Sequence, residues 1–352
     1  MVSACSQVAT TPLVAYLAWD ANGRVQLFRA AVGEAPEQLT GGDETANADV
    51  TAFSLSPQGD AIIYSLLHDA GGSEIRRLDV NSGRDELLLD CPQAECGEFA
   101  WSPDNTRLVY ERRELSGSAA ELPHLWWLNT HSGETIPLID DDSPAYGANF
   151  SPDAQWLAYV SPQEQGVVVV NLLNGDQRLI ASETGMPPRW SPDSTELVYG
   201  NSDVIVLHSQ EGEGHDSHDH DYGSAVHLFS QNVTVPDAPS RRLSPDLTID
   251  DSAPVFSPDG EWLIVGRRAA GTAAGRQLWI MRPDGSEARA LTDDDVLNYG
   301  SVSWSPDGRR LLYQRYPTFE PDPRPSIWTM DVMTGEMEEV WPVGFLPQWL
   351  TR

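Results

Sequence analysis

The chain has 352 residues and a formal net charge of −31, and every one of its 22 basic side chains is arginine. Without an ε-amine there is no Schiff-base chemistry, no P-loop lysine and no lysine general base. The charge repels polyphosphate backbones and anionic bilayers, which excludes nucleic acid and leaves basic proteins or cationic ligands as partners. Hydrophobic residues at 40%, with 12 tryptophans, suit a packed core, and no run of about 18 apolar residues marks a transmembrane segment.

In chain order, the first feature is Val2-Ser3-Ala4-Cys5-Ser6. Small residues before a cysteine resemble a bacterial lipobox, which implies lipidation at Cys5 and a tether over residues 1–11 ahead of one domain over 12–352. Met1 leaves no room for an apolar leader, so either the start lies further upstream or the match is accidental. Residues 13–16 (LVAY), 25–30 (VQLFRA) and 37–40 (EQLT) then read as strands two, three and four of a unit that lacks its first.

A repeating unit follows. Ser-Pro recurs at Ser56-Pro57, Ser102-Pro103, Ser151-Pro152, Ser191-Pro192, Ser257-Pro258 and Ser305-Pro306, at intervals of 46, 49, 40, 66 and 48 residues. This is the period of a four-stranded propeller blade. Leu55, Trp101, Phe150, Trp190, Phe256 and Trp304 precede the serines, and Tyr64, Tyr110, Tyr159, Tyr199, Val265 and Tyr313 lie seven residues past the prolines. A strand ends, proline presets φ, Asp and Gly take up the turn, and a second strand begins. Six copies of one serine argue for a turn and against a nucleophile. Third strands follow at 75–80, 125–130, 167–172, 226–231, 278–283 and 327–332, and turn glycines lead into fourth strands. The final Pro347-Gln348-Trp349-Leu350 carries Trp349 in the leading aromatic position and supplies the strand missing from the N-terminal unit. The expected fold is all-β, a seven-bladed β-propeller with a composite closing blade; six blades with frayed ends are the alternative. Closing the ring removes open sheet edges.

Cys91 and Cys96 bracket four residues, either as a disulfide in an oxidising compartment or as two free thiols, and are too sparse for a structural zinc site. Acidic stretches fall between the units: Asp140-Asp141-Asp142, Asp250-Asp251 and Asp293-Asp294-Asp295, with Asp43, Glu44 and Asp49 in a fourth. They are expected either as a solvated rim or as a binding face for a protein partner or cationic ligand. The long interval holds an insertion at about 208–223, in which His215, Asp216, His218, Asp219 and His220 are candidate ligands for Zn, Ni, Cu or Ca; a flexible solvated arm is the other reading. Neither G-x-S-x-G nor H-E-x-x-H nor a dinucleotide fingerprint occurs.

The aromatic-Ser-Pro-Asp-Gly turn, the strand ending in tyrosine, the Ile/Leu-Trp third strand and the T-G turn are similar to the TolB-type propeller repeat, from about Pro12 to Trp349. Prolyl oligopeptidase relatives and tricorn-like proteins carry similar propellers. The resemblance implies a monomeric, non-enzymatic scaffold of the bacterial cell envelope, in the periplasm or at the cell surface, docking through its acidic face and requiring no cofactor. Strand-like sequence starts near Leu13, so the family's N-terminal α/β domain, and with it the TolB–Pal role, finds no counterpart here. Two alternatives remain: metal binding through the His/Asp insertion, and a propeller lyase resembling oligogalacturonate lyase, whose metal-holding histidines find only the scattered His68, His124 and His131 as counterparts.

Overall fold

The computed structural model describes residues 13–42, 47–115, 121–139, 143–207 and 221–350. Each Ser-Pro unit folds as an antiparallel four-stranded meander. Blade 1 comprises Ala48–Leu55, Ala61–His68, Ser73–Asp79 and Asp85–Cys91; blade 2, Ala94–Trp101, Arg107–Glu114, His124–Asn129 and Thr135–Pro137; blade 3, Tyr146–Phe150, Trp156–Ser161, Gly166–Asn171 and Gln177–Ala181. Blade 4 is Arg189–Trp190, Glu196–Leu207, Asp221–Asn232 and Arg241–Arg242; blade 5, Ile249–Phe256, Leu263–Ala269, Gln277–Met281 and Arg289–Ala290; blade 6, Leu297–Trp304, Arg310–Pro317, Ser326–Asp331 and Met337–Trp341. The seventh pairs Phe345–Leu350 with Leu13–Trp19, then Val25–Ala31 and Glu37–Gln38. Leu13 lies opposite Leu350 and Val14 opposite Trp349, so the two ends of the chain close the ring at seven blades, not six.

The first strands touch their counterparts around the ring and line its central channel. In such meanders the first and third turns open on one face, here called lower. The second turns and the inter-blade loops open on the other, upper face.

The repeated serine is a structural bracket. Its Oγ–H donates to a carboxylate within the turn, Asp60, Asp104, Asp153, Asp193, Asp259 or Asp307, at 2.5–2.8 Å. The same Oγ accepts the N–H that opens the second strand, as Trp262 donates to Ser257 at 2.9 Å. No such oxygen is available as a nucleophile.

Packing between blades follows from the two aromatic positions of the repeat. Tyr16, Tyr64, Tyr110 and Tyr313 are fully buried, and the core clusters cross blade boundaries; one joins Leu17 and Leu27 of the closing blade to Ile62 and Tyr64 of blade 1. The leading tryptophans reach backwards around the ring: Trp190 Nε1–H donates to the Asn149 carbonyl at 3.0 Å and Trp304 Nε1–H to that of Val255 at 3.2 Å. Cys91 and Cys96 are joined by a buried disulfide, Cα atoms 6.5 Å apart, that clips the last strand of blade 1 to the first of blade 2. The length surplus of blade 4 lies in a hairpin paired on every rung from Glu196 and Asn232 to Leu207 and Asp221.

Candidate functional site in the central channel

Among the residues singled out in the sequence, Asp250 and Asp251 call for a correction. They are not loop residues of an acidic face. They sit in the first strand of blade 5, buried, opposite Arg268 and Arg267 on the neighbouring strand. Asp251 accepts from Arg267 Nε at 2.7 Å; Asp250 accepts from Arg268 Nε at 2.9 Å and Arg276 Nη2 at 2.8 Å. Asp49 is likewise paired, with Arg24 at 3.1 Å. Asp293, Asp294 and Asp295 are exposed on the upper loop between blades 5 and 6. Asp140, Asp141, Asp142, His215, Asp216, His218, Asp219, His220 and Cys5 lie outside the described residues. Among the described residues no three His, Cys, Asp or Glu gather as a metal group. His68 faces Glu74 at 3.1 Å, and the fully buried His227 faces Asp203 at 2.8 Å.

The arginine bias acquires a structural role. Planar guanidinium groups lie over aromatic rings, as Arg315 over Trp328 at 3.6 Å and Arg282 over Trp262 at 3.9 Å, or pair across strands with carboxylates. A lysine ammonium supplies neither flat stacking nor a fork.

A different constellation forms on the upper channel wall. The first strands carry a β-bulge in six of the seven blades. At the residue three before the leading aromatic the backbone is left-handed in five: Glu98 (φ 49°), Gly147 (64°), Ala253 (47°), Ser301 (47°) and Leu346 (51°). A bulge bends its strand and re-aims the side chain it carries. Only in blade 2 is that side chain ionisable, and Glu98 thereby joins Glu95, Glu111 and Arg113 around a cavity of about 70 Å³ walled on its far side by Thr51 and Ala52 of blade 1. The strand bearing Glu98 is fixed by the disulfide and by two serines of blade 1. Ser73 Oγ accepts Cys96 N–H at 2.8 Å, and Ser65 Oγ–H donates to the Cys96 carbonyl at 2.5 Å.

These groups perturb one another. Burial pushes the Glu111 carboxyl up to about 7; the Gly147 N–H, donating to it at 2.7 Å, opposes the shift, and the charge of Glu98 adds to it. Glu98 is raised by desolvation and by Glu95, with Arg113 and Arg189 pulling the other way. The Glu98 side chain is exposed on the channel wall, and the protein around it still removes enough hydration to raise its carboxyl. Tyr146 of blade 3 is raised by burial and by Glu111, and Arg189 of blade 4 is lowered by desolvation against the attraction of Glu98. Blades 2, 3 and 4 thus bring two carboxyls, a phenol and a guanidinium into one electrostatic cluster. A carboxyl titrating near neutrality can both give and take a proton at working pH.

Sequence reading missed Glu98, Glu111, Tyr146 and Arg189. The signal was present once the units are laid in register. Three residues before the leading aromatic stand Ala52, Glu98, Gly147, Pro187, Ala253, Ser301 and Leu346. Just after the tyrosine position stand Leu17, Ser65, Glu111, Val160, Gly200, Gly266 and Gln314. One residue before the aromatic stand Ser54, Ala100, Asn149, Arg189, Val255, Ser303 and Gln348. Each position is uncharged in six units and charged in one.

No protein-family model matches the chain. A curated relative, the uncharacterized peptidase YuxL of Bacillus subtilis (strain 168), is 22% identical over 191 residues, which is 47% of this chain and 28% of that protein. TolB of Acinetobacter baumannii superposes with a TM-score of 0.56 at 15% identity, over 97% of this chain and 67% of its own. A solved prolyl endopeptidase gives a TM-score of 0.64 at 13% identity, over 97% of this chain and 49% of its own. The chain spans under a third of YuxL and about half of the endopeptidase. The expectation of a non-enzymatic scaffold is overturned here. The sequence relative is a peptidase, and the same ring recurs within an endopeptidase. The expectation failed because a repeat motif belongs to the scaffold and carries no information about activity.

Proposed function

We propose that this TolB-type propeller belongs to a peptidase-class hydrolase, and that the Glu98–Glu111 cluster handles the peptide at the upper mouth of the channel. The observation that carries the reading is the pair itself: two carboxyls that break the repeat, side by side on the channel wall, with Glu111 titrating at about 7. In its protonated form Glu111 donates to a peptide carbonyl, and in its ionised form it takes up a proton. Glu98 favours positively charged segments, and the Tyr146 phenol is coupled electrostatically to Glu111. The peptidase relative supports the reaction class.

The test is incubation of the purified chain with a defined mixture of unmodified peptides, with products read by mass spectrometry and binding by fluorescence anisotropy. Cleavage or binding should inflect near pH 7, and Glu111→Gln should abolish the inflection while lowering cleavage by about 100-fold. Loss of both cleavage and binding for every peptide, or a pH profile unchanged in the variant, would overturn the proposal.

The buried disulfide supports an oxidising compartment. We accordingly place the protein in the periplasm or at the cell surface, with Cys5 as its lipid attachment point. Mass spectrometry of native protein carrying no lipid on Cys5 would remove the anchor.

A further inference from the structure

The lower mouth of the channel is chemically unlike the upper one. A cavity of about 410 Å³ opens there against Pro152, Arg189, Trp190, Phe256, Pro258 and Trp304. That volume lies within the range of small-molecule sites. Its aromatic walls are held in place: both indoles are largely buried, and their Nε1–H groups are spent on the carbonyls of the preceding blade, 3.0 Å for Trp190 and 3.2 Å for Trp304. Walls that do not need ordering lose less affinity when a ligand binds.

Arg189 stands apart from the arginines described above. It donates to the carbonyl of its neighbour Pro188 at 3.2 Å, and among the described residues it has no carboxylate in ion-pair distance and no aromatic ring beneath it. Glu98 attracts it only from a distance, and desolvation disfavours its charge. The carboxylates of the surrounding turns are not in ion-pair distance of it. Asp153, Asp193 and Asp259 each accept a serine hydroxyl at 2.5 Å inside their own turns. A desolvated cation beside fixed flat apolar walls is complemented by an organic anion with a flat apolar body.

We infer that the lower channel mouth binds a small aromatic carboxylate, its ring against Trp190, Phe256 and Trp304 and its carboxylate paired with Arg189. The site opens at the other mouth from the Glu98–Glu111 pair and is linked to it by the attraction between Glu98 and Arg189, but its occupancy is read without any peptide.

The test titrates the full chain with 1-naphthoate, its neutral analogue 1-naphthamide and the cationic 1-naphthylmethylamine, followed by calorimetry and tryptophan fluorescence. Naphthoate should bind about tenfold or more tightly than the amide, and the amine should not bind. Arg189→Gln should reduce naphthoate to the affinity of the amide and leave the amide unchanged, while Trp304→Ala should weaken both. Among the described residues Arg189 holds no ion pair, so its variant should retain the fold, checked by circular dichroism; if Trp304→Ala unfolds, Phe256→Leu replaces it. Equal affinity for acid and amide, naphthoate affinity surviving Arg189→Gln, or no saturable naphthoate binding would overturn the inference.

Discussion

Glu111→Gln tests the origin of the channel's proton chemistry through stability alone. An ordinary glutamate carboxyl titrates at 4.5, and Glu111 is pushed up to about 7 by burial. The native state therefore binds this proton more tightly than the unfolded chain, and stability falls as pH rises between the two values. Below the lower value both states are protonated and nothing is lost. Above the upper value both are ionised, and the full penalty of about 3 kcal/mol is present. Glutamine does not ionise, and its Oε1 can still accept the Gly147 N–H. Wild type and variant should thus agree within about 1 kcal/mol near pH 5, and the variant should lead by about 3 kcal/mol near pH 8.5. Urea unfolding followed by tryptophan emission at several pH values gives the difference curve, in which the other carboxylates cancel. Parallel curves would show that channel water hydrates Glu111 fully, and the assignment of a proton-handling role would fail with them.

Three further outcomes follow from the same geometry. Asp251→Asn leaves the Arg267 guanidinium buried without its partner at 2.7 Å, and should cost roughly 3–5 kcal/mol in denaturation. Asp293→Asn, on the exposed loop, should stay within about 0.5 kcal/mol, and equal losses in the two would restore the reading of Asp250 and Asp251 as surface charges. Ser257→Ala removes both the acceptor for the Trp262 N–H and the donor to Asp259; a loss of about 1–2 kcal/mol is expected, and unchanged stability would make the turn serine dispensable. Glu98→Gly relieves a left-handed side-chain conformation at φ 49°. It should raise stability by about 1 kcal/mol while lowering peptide binding, and a destabilised variant would mean that the bulge is not strained.

The ring was legible in the chain because its demands are local. Proline sets a torsion, serine brackets the turn, and an aromatic at a fixed offset reaches the next blade. Even the composite closing blade follows from counting such offsets, since Trp349 occupies the leading aromatic position and its strand pairs with the N-terminal one. The acidic pair Asp250-Asp251 was misjudged for the opposite reason: its charge is cancelled by Arg267 and Arg268, which are adjacent only across a ladder that the local sequence does not display. The channel cluster is further from view. Glu98 and Arg189 are 91 residues apart in sequence and meet electrostatically only because blades 2 and 4 point their first strands at one axis.

That convergence gives a physical reason to look for function where the repeat breaks. A propeller built for stability alone gains nothing from a glutamate in a left-handed bulge, where glycine fits without strain. Nor does it gain from a glutamate desolvated beside another, or from a desolvated arginine that holds no ion pair among the described residues. Each is locally unfavourable, and each occurs once at a position that six other blades leave uncharged. Packing explains the six; it does not explain the seventh. The three departures lie on blades 2 and 4 and line cavities along the central channel, Glu98 and Glu111 one of them and Arg189 another. Groups that cost stability and line cavities are accounted for by what those cavities hold.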